Sequence, residues 1–217
     1  MARHRFLSLE GGEGVGKTTQ MKLLKERLPE LFPGHNFLFT REPGGTPMAE
    51  KIRDIILSPE SADADGKTMF GLFAAARAAH LSRIIMPALA EGKVVVSDRF
   101  AAATYAYQVV AQENPILPGL FSEYYMQLEA RPAMTIILDL DPRIAQERIR
   151  ERAGLDKTHF DTRPIEFHEK LRKGYFGFAT RFNNPNAHVA VISAEGSPDA
   201  VHEIIVQRIR DIFEVFF

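Results

Sequence analysis

The sequence predicts a three-layer α/β fold, in which helices cover both faces of a largely parallel sheet. Three observations carry this. Short β-rich runs recur along the chain, several of them apolar almost without interruption, as strands buried on both faces require. Helical patterns separate successive runs, the arrangement that crossover connections produce. The first run leads into a glycine-rich stretch, "GGEGVGKTTQ" (residues 11–20), and then into "MKLLKERL"; this strand, loop and helix match G-x-x-x-x-G-K-[ST] at Gly11, Gly16, Lys17 and Thr18.

In chain order, Arg5–Leu9 is expected as the first strand and Lys17–Leu28 as the first helix. Asn36–Thr40 follows the "FPGHN" turn as a second strand, and Pro47–Leu57 is helical with proline at its start. A long helical pattern covers about Lys67–Glu91, and Pro87 inside it is expected to kink it or end it early. Lys93–Ser97 is the third strand, with helices following at about Ala102–Ala111 and at Gly119–Ala130. Met134–Leu140 is the fourth strand, Pro142–Arg152 and about Pro164–Phe182 are helices, His188–Ser193 is the fifth strand, and Pro198–Phe217 closes the chain as a helix. In "LDLDP", Asp141 is expected to cap a helix that has Pro142 at its first position.

At 217 residues, 45% apolar and 25% charged, the chain suits one well-buried core, so residues 1–217 are expected to form a single domain. Its 27 basic and 28 acidic residues nearly cancel, which excludes a global field toward nucleic acid or an anionic membrane and favours a small ligand. There is no cysteine, the apolar run at the N-terminus is too short for a signal peptide, and no run of eighteen apolar residues occurs; the expected compartment is the cytoplasm.

Glycines at 11, 12, 14 and 16 let backbone N–H groups converge on an anion, and the helix that starts near Lys17 adds its positive dipole end. Lys17 then neutralises the β and γ phosphates, and the Thr18 hydroxyl ligates Mg²⁺. The loop therefore indicates a nucleoside triphosphate without saying what is done with it. A GTPase would need N-K-x-D, which is absent; "DADG" (63–66) matches D-x-x-G but has no strand before it. A kinase would need further cations around an acceptor pocket, because two phosphorylated molecules repel each other. They occur at strand ends. "KVVVSDRF" supplies Asp98 for the Mg²⁺ shell and Arg99 for an acceptor phosphate, and "FTREPGG" supplies Arg41 and Glu42 at the entry to a turn. The residues alone leave open which small kinase this is, or whether the chain is a regulatory module that binds nucleotide without turnover. The intact Lys17, Thr18, Asp98 and Arg99 argue for turnover.

Seven blocks in order, "EGGEGVGKTT", "TREPGGTPMAEKIRDIIL", "LFAAARAAHL", "MPALAEGKVVVSDRF", "TYAYQ", "DLDP" and "RERAGLDKTHFDTRPIEFHEKLRKGY", resemble the thymidylate kinase family over nearly the whole chain. The resemblance implies a P-loop NTPase sandwich with a five-stranded parallel sheet, ATP and dTMP as small-molecule substrates, a homodimer, and no cofactor beyond the Mg²⁺ that accompanies ATP. It assigns the donor to Gly11, Gly12, Glu13, Gly14, Val15, Gly16, Lys17 and Thr18, with Glu13 also helping to position Mg²⁺ or its waters. It sets Phe73 against the thymine face, Arg77 on its O4 edge, Thr104 and Gln108 toward the base, Tyr107 against the 2′ position of the sugar, and Arg53 on the acceptor phosphate. Ala101 and Ala103 stand where the family usually has Asp and Ser, which implies fewer polar contacts near that phosphate. Gly14 occupies the loop position where some members keep a catalytic arginine, so the charge is expected from a lid at about 148–160: Arg152 foremost, with Arg148 and Lys157 in support. His159 and His168 have no partner ligand at helical spacing and are expected to be ordinary polar residues.

Overall fold

The structure, a computed structural model, describes residues 5–151 and 158–216, with side chains as far as residue 213. A five-stranded, all-parallel sheet runs in the order β2-β3-β1-β4-β5, where β1 is Phe6–Glu10, β2 Phe37–Arg41, β3 Val94–Asp98, β4 Met134–Asp139 and β5 His188–Ser193. This is the expected fold class.

Every residue of β1 is buried, and alternation divides it between two cores. Phe6 joins Val95 and Ile137 on one face; Leu7 and Leu9 join Val94, Val96, Met134, Ile136 and Leu138 on the other. Helices α1 (Lys17–Leu31) and α9 (Pro198–Phe216) cover the second face through Leu24, Leu28, Ile205 and Ile209. Helices α3 (Gly66–His80), α6 (Leu117–Met126) and α8 (Ile165–Phe182) cover the first, where Tyr105, Phe121, Tyr125, Phe178 and Phe182 interlock, the Tyr125 and Phe182 rings 4.8 Å apart near edge-to-face. Such pairs stabilise beyond simple area burial, by about 0.5–1.5 kcal/mol each.

The remaining helices are α2 (Pro47–Leu57), α4 (Met86–Ala90), α5 (Ala101–Thr104) and α7 (Pro142–Glu151). Asp141 caps α7 by accepting from Arg143 N–H at 2.8 Å, as expected. Asp65 of "DADG" caps α3, accepting from the N–H groups of Lys67 (2.7 Å) and Thr68 (3.0 Å). Pro29 lies inside α1 near its exposed end, where the loss of one backbone bond leaves a carbonyl that water can reach. Helix α6 begins two residues before the expected start because Pro118 fits its first turn.

Two wide turns were not expected. The pattern over Lys67–Glu91 resolves into α3, a π-helical turn at Leu81–Ile85 and α4; Pro87 has no N–H, and Met86 N–H reaches back five residues to Leu81. By length and composition the stretch Gly66–Ala90 could also cross a membrane, although its apolar residues do not form an unbroken run. Here Phe70, Leu81, Ile85, Ala88 and Leu89 face the core. A second π-helical segment, Tyr105–Val110, extends α5.

Gly174 in α8 is what allows that segment to pack so closely, because a Cβ there would sit 2.7 Å from the Ala106 Cα. Gly174→Ala is expected to destabilise the chain by about 1–3 kcal/mol, read as a lower urea midpoint. An unchanged midpoint would mean that α8 and Tyr105–Val110 separate freely.

Candidate active site

Strand order reverses between β1 and β3, the place where open α/β sheets form a ligand crevice beyond their carboxyl ends. The segments that leave these two strands build the centre of the site. From β1 the chain enters Gly11–Gly16. Gly11 has φ 141°, and a Cβ there would lie 2.7 Å from Leu138 O; Gly14 has φ 75°, and its Cβ would lie 2.4 Å from Ala145 O. Only glycine fits either position. Lys17 Nζ folds back over the loop to donate to Gly11 O (2.9 Å) and Gly12 O (2.6 Å). Burial, reinforced by the charge of Arg99, pulls the Lys17 ammonium down to about 8.

From β3 the chain enters Asp98 and Arg99. Arg99 has φ 67°, a left-handed conformation that costs a non-glycine residue about 1–2 kcal/mol. Its Nη1 donates to Gly11 O (2.9 Å) and Tyr175 OH (3.1 Å), and its Nη2 donates to Glu13 Oε1 (3.1 Å). Tyr175 OH in turn donates to Gly11 O at 3.0 Å. Tyr107 OH donates to the same Glu13 oxygen. Burial raises the Glu13 carboxyl, but Arg99, Lys17 and the Tyr107 hydrogen bond outweigh it and leave the group below its ordinary range.

Two adjoining cavities meet at these residues. A polar one of about 720 Å³ is lined by Gly14, Gly16, Lys17, Thr18, Arg41, Asp98 and Asp161; an apolar one of about 540 Å³ is lined by Pro43, Ile56, Leu57, Phe73, Ala103, Tyr107, Gln108 and Phe160. Glu13, Glu42, Arg53, Arg99 and Thr158 belong to both. Three buried oxygens that line these cavities have no hydrogen-bond partner among the described residues: Asp98 Oδ1 in the polar cavity, Gln108 Oε1 in the apolar one, and Glu13 Oε2 where the two meet. A third cavity, of about 630 Å³, lies on the other flank of the loop among Gly14, Val15, Gly16, Thr19, Gln20, Arg148, Gly196 and Pro198.

The structure thus brings most of the expected residues together, with differences of detail. Arg77 and Thr104 are each 1% exposed and stand behind the wall of the apolar cavity. Arg77 Nε donates to Glu42 Oε2 (2.8 Å) and its Nη2 to Thr104 Oγ1 (2.9 Å). His80 Nδ1 holds the other Glu42 oxygen at 3.0 Å, and its Nε2 meets Thr40 Oγ1 at 2.7 Å. Thr104 and Gln108, expected to share a face at four-residue spacing, part company because the π-helical turn begins at Tyr105; Ala103, Tyr107 and Gln108 face the cavity instead. Arg53 Nη1 donates to Pro43 O (3.0 Å), and exposed Arg41 is engaged by both oxygens of Glu50 (3.0 and 2.9 Å). Ala101 is core, and Ala103 presents only a methyl group to the cavity.

The expected lid begins within α7, whose expected range already reached Arg152. Residues 148–151 are the last turn of α7, and Arg148 Nη2 is tied to Ala194 O at 3.1 Å. Arg152 and Lys157 lie outside the described residues. Sequence reasoning missed Tyr175, Thr158, Phe160 and Asp161, although all four stand in the last of the seven resemblance blocks. His168, expected to be an ordinary polar residue, is a buried neighbour of Glu13 with Nδ1 3.8 Å from Oε2. Among the described residues no cluster of three or more His, Asp or Glu is placed to hold a metal.

A glycine-rich loop at the switch point, cations from two strand ends and a second, partly apolar chamber on the same wall define a P-loop phosphotransferase. The comparisons make this specific. The thymidylate kinase family model matches residues 9–205. The thymidylate kinase of Geobacillus sp. (strain WCH70) is 38% identical over 216 residues, covering 97% of this chain and 98% of its own, and that of Syntrophotalea carbinolica is 41% identical over 209 residues, covering 90% of each. The crystal structure of thymidylate kinase from Ehrlichia chaffeensis superposes with a TM-score of 0.74 at 29% identity, covering 94% of this chain and 97% of the other. The chain belongs to the thymidylate kinase family.

One buried acid in this centre carries a pH signature. Burial pushes the Glu10 carboxyl from 4.5 up to about 7, against the pull of Arg99, the Phe100 N–H and Arg77. The folded chain therefore holds a proton that the unfolded chain has released between those two values, and stability falls as pH rises through that window. Glu10→Gln is expected to raise the melting temperature near pH ~8, with a gain on the order of a few kcal/mol, and to match the parent near pH ~4.5. An equal melting temperature at both pH values would show that the buried carboxylate costs nothing.

Proposed function

We propose that this chain transfers the γ-phosphoryl group of ATP to dTMP, giving dTDP and ADP in the supply of dTTP. The observation that carries the reading is the shared wall: one cavity is built for phosphates, its neighbour ends in an aromatic ring and an unsatisfied amide oxygen, and Arg53 and Arg99 serve both. Phe73 offers a π-face to the pyrimidine, and Gln108 Oε1 accepts from its N3–H. Arg77 stays cationic, since Glu42 and its other hydrogen-bond partners outweigh its burial, and it supports the O4 edge from behind the wall. Tyr107 stands against the sugar.

The acceptor phosphate has a second pKa near ~6, so at neutral pH it is already a dianionic nucleophile and needs no strong general base. The residues accelerate transfer by positioning and charge cancellation. Lys17 releases the loop carbonyls to meet the donor phosphates, which the N–H groups of Gly11, Gly12, Glu13, Gly14, Val15 and Gly16 surround. Arg99, Arg53 and Arg41 hold the acceptor. The unpartnered Asp98 Oδ1 and the exposed Thr18 hydroxyl in the same cavity are hard oxygen donors that fit Mg²⁺, with Glu13 orienting its waters. Bound there with ATP, Mg²⁺ supplies further cancellation of phosphate charge. Arg148 flanks the third cavity, beside the loop, where the donor base fits. Arg152 supplies the transition-state charge, with Lys157 in support. A homodimer and a cytoplasmic location belong to the same reading.

An ADP-coupled assay across dTMP, dUMP, dCMP, dGMP and thymidine is expected to give strong turnover with dTMP, with dTDP formed in equal amount. Absence of dTMP-dependent ADP would overturn the assignment. Arg152→Ala is expected to lower kcat at least about 10²-fold while ATP affinity stays within about tenfold. Unchanged turnover in that variant would remove Arg152 from the mechanism.

A further inference from the structure

Arg99 reaches the Gly11 carbonyl, Tyr175 and Glu13 from a backbone conformation that an arginine avoids, so something must hold it there. Three hydrogen bonds surround that one residue. Arg99 N–H donates to Leu9 O at 2.9 Å, the Ser97 hydroxyl donates to Arg99 O at 2.7 Å, and the next amide, Phe100 N–H, donates to Glu10 Oε1 at 2.8 Å. The two side chains involved are fully buried, each 0% exposed. Glu10 ends β1 and reaches across to the segment that leaves the neighbouring strand β3, while its second oxygen, Oε2, is buried and has no hydrogen-bond partner among the described residues. A carboxylate kept out of water with half of its acceptor capacity idle is costly unless the bond it makes is needed.

We propose that Glu10 and Ser97 are positioning residues for phosphoryl transfer: they pin Arg99 in its left-handed conformation and so aim its guanidinium at the point where the two cavities meet. The inference rests on the acceptor role given to Arg99 above. The clamp depends on reach rather than on charge. The acceptor oxygen must extend from β1 to the Phe100 N–H, which the two methylenes of glutamate allow and the single methylene of aspartate does not. Glutamine keeps both the reach and the oxygen. Freed from the clamp, residue 99 relaxes toward ordinary extended backbone, and the guanidinium leaves the Gly11 carbonyl. The bonds from Lys17 Nζ to the Gly11 and Gly12 carbonyls do not involve Glu10, so the Lys17 side of the phosphate loop keeps its own ties.

The test compares Glu10→Asp with Glu10→Gln under saturating MgATP and varied dTMP, with circular dichroism and thermal melting on each protein. Glu10→Asp is expected to lower kcat at least about 20-fold and to raise the KM for dTMP, with the KM for MgATP within about threefold; Glu10→Gln is expected to keep kcat within about fivefold. Full activity in Glu10→Asp, or equal loss in both variants, would overturn the clamp, the second because charge would then be the property required. Should Glu10→Asp not fold, Ser97→Ala carries the test: kcat is expected to fall about three- to tenfold with the KM for MgATP unchanged, and an unaltered kcat overturns the proposal. A parent chain that makes no dTDP sinks the functional reading and the clamp together, whereas an active parent matched by Glu10→Asp sinks the clamp alone.

Discussion

The site is organised by one oxygen atom. The Gly11 carbonyl receives Lys17 Nζ, Arg99 Nη1 and Tyr175 OH, at 2.9, 2.9 and 3.0 Å, from helix α1, the end of β3 and helix α8. Two like charges held at a single acceptor repel each other, and the arrangement persists because Glu13 and Asp98 lie alongside and because the donors come from rigid elements. Cations gathered in advance for an anionic ligand are preorganised electrostatics, the form of stabilisation that costs no rearrangement at the moment of reaction. Gly11 must be glycine for the carbonyl to occupy this place at all, since a side chain would strike Leu138 O.

A second buried network braces the wall behind the apolar cavity. Glu42 uses both carboxylate oxygens on Arg77 and His80, all three groups being at most 5% exposed. An ion pair so deeply desolvated contributes little net stability compared with an apolar replacement, but removal of one member would strand the others. Its effect is on geometry. It joins the loop after β2 to helix α3, and through Thr104 to the segment that carries Tyr107 and Gln108. Arg77 also lies 4.9 Å from the Phe100 ring centroid, so the same arginine is fixed from its flat side.

Much of this was legible in the sequence because it was local. The glycine spacing, the Asp98–Arg99 pair at a strand end, the Asp141 cap and all five strands follow from patterns a few residues long, and each strand lies within about a residue of its expected place. What was illegible depends on pairing across long separations or on geometry that periodicity does not report. A π-helical turn shifts a face without changing composition, so the sequence, which set Thr104, Tyr107 and Gln108 together, could not show that Ala103 rather than Thr104 lines the apolar cavity beside Tyr107 and Gln108. Arg77 was set on the O4 edge of the base; its pairing with Glu42, 35 residues earlier, was not visible. Glu10 stands just past the first expected strand and drew no assignment; that it holds Phe100, 90 residues away, requires β1 to lie beside β3.

The sheet order also has a consequence for how the molecule comes into being. β1 leaves the ribosome before the other strands of the sheet, yet both of its neighbours, β3 and β4, follow much later, and the hydroxyl that steadies Gly11 belongs to residue 175. Parallel pairing across such separations is slow, since the loop-closure entropy must be met before any contact rewards it. A nascent chain that stops short of α8 therefore has the complete nucleotide-binding motif in its sequence without the carbonyl hub that gives the motif its shape. In translation the first functional segment made is among the last to mature, and until then the apolar faces of β1 need shelter from other unfinished chains.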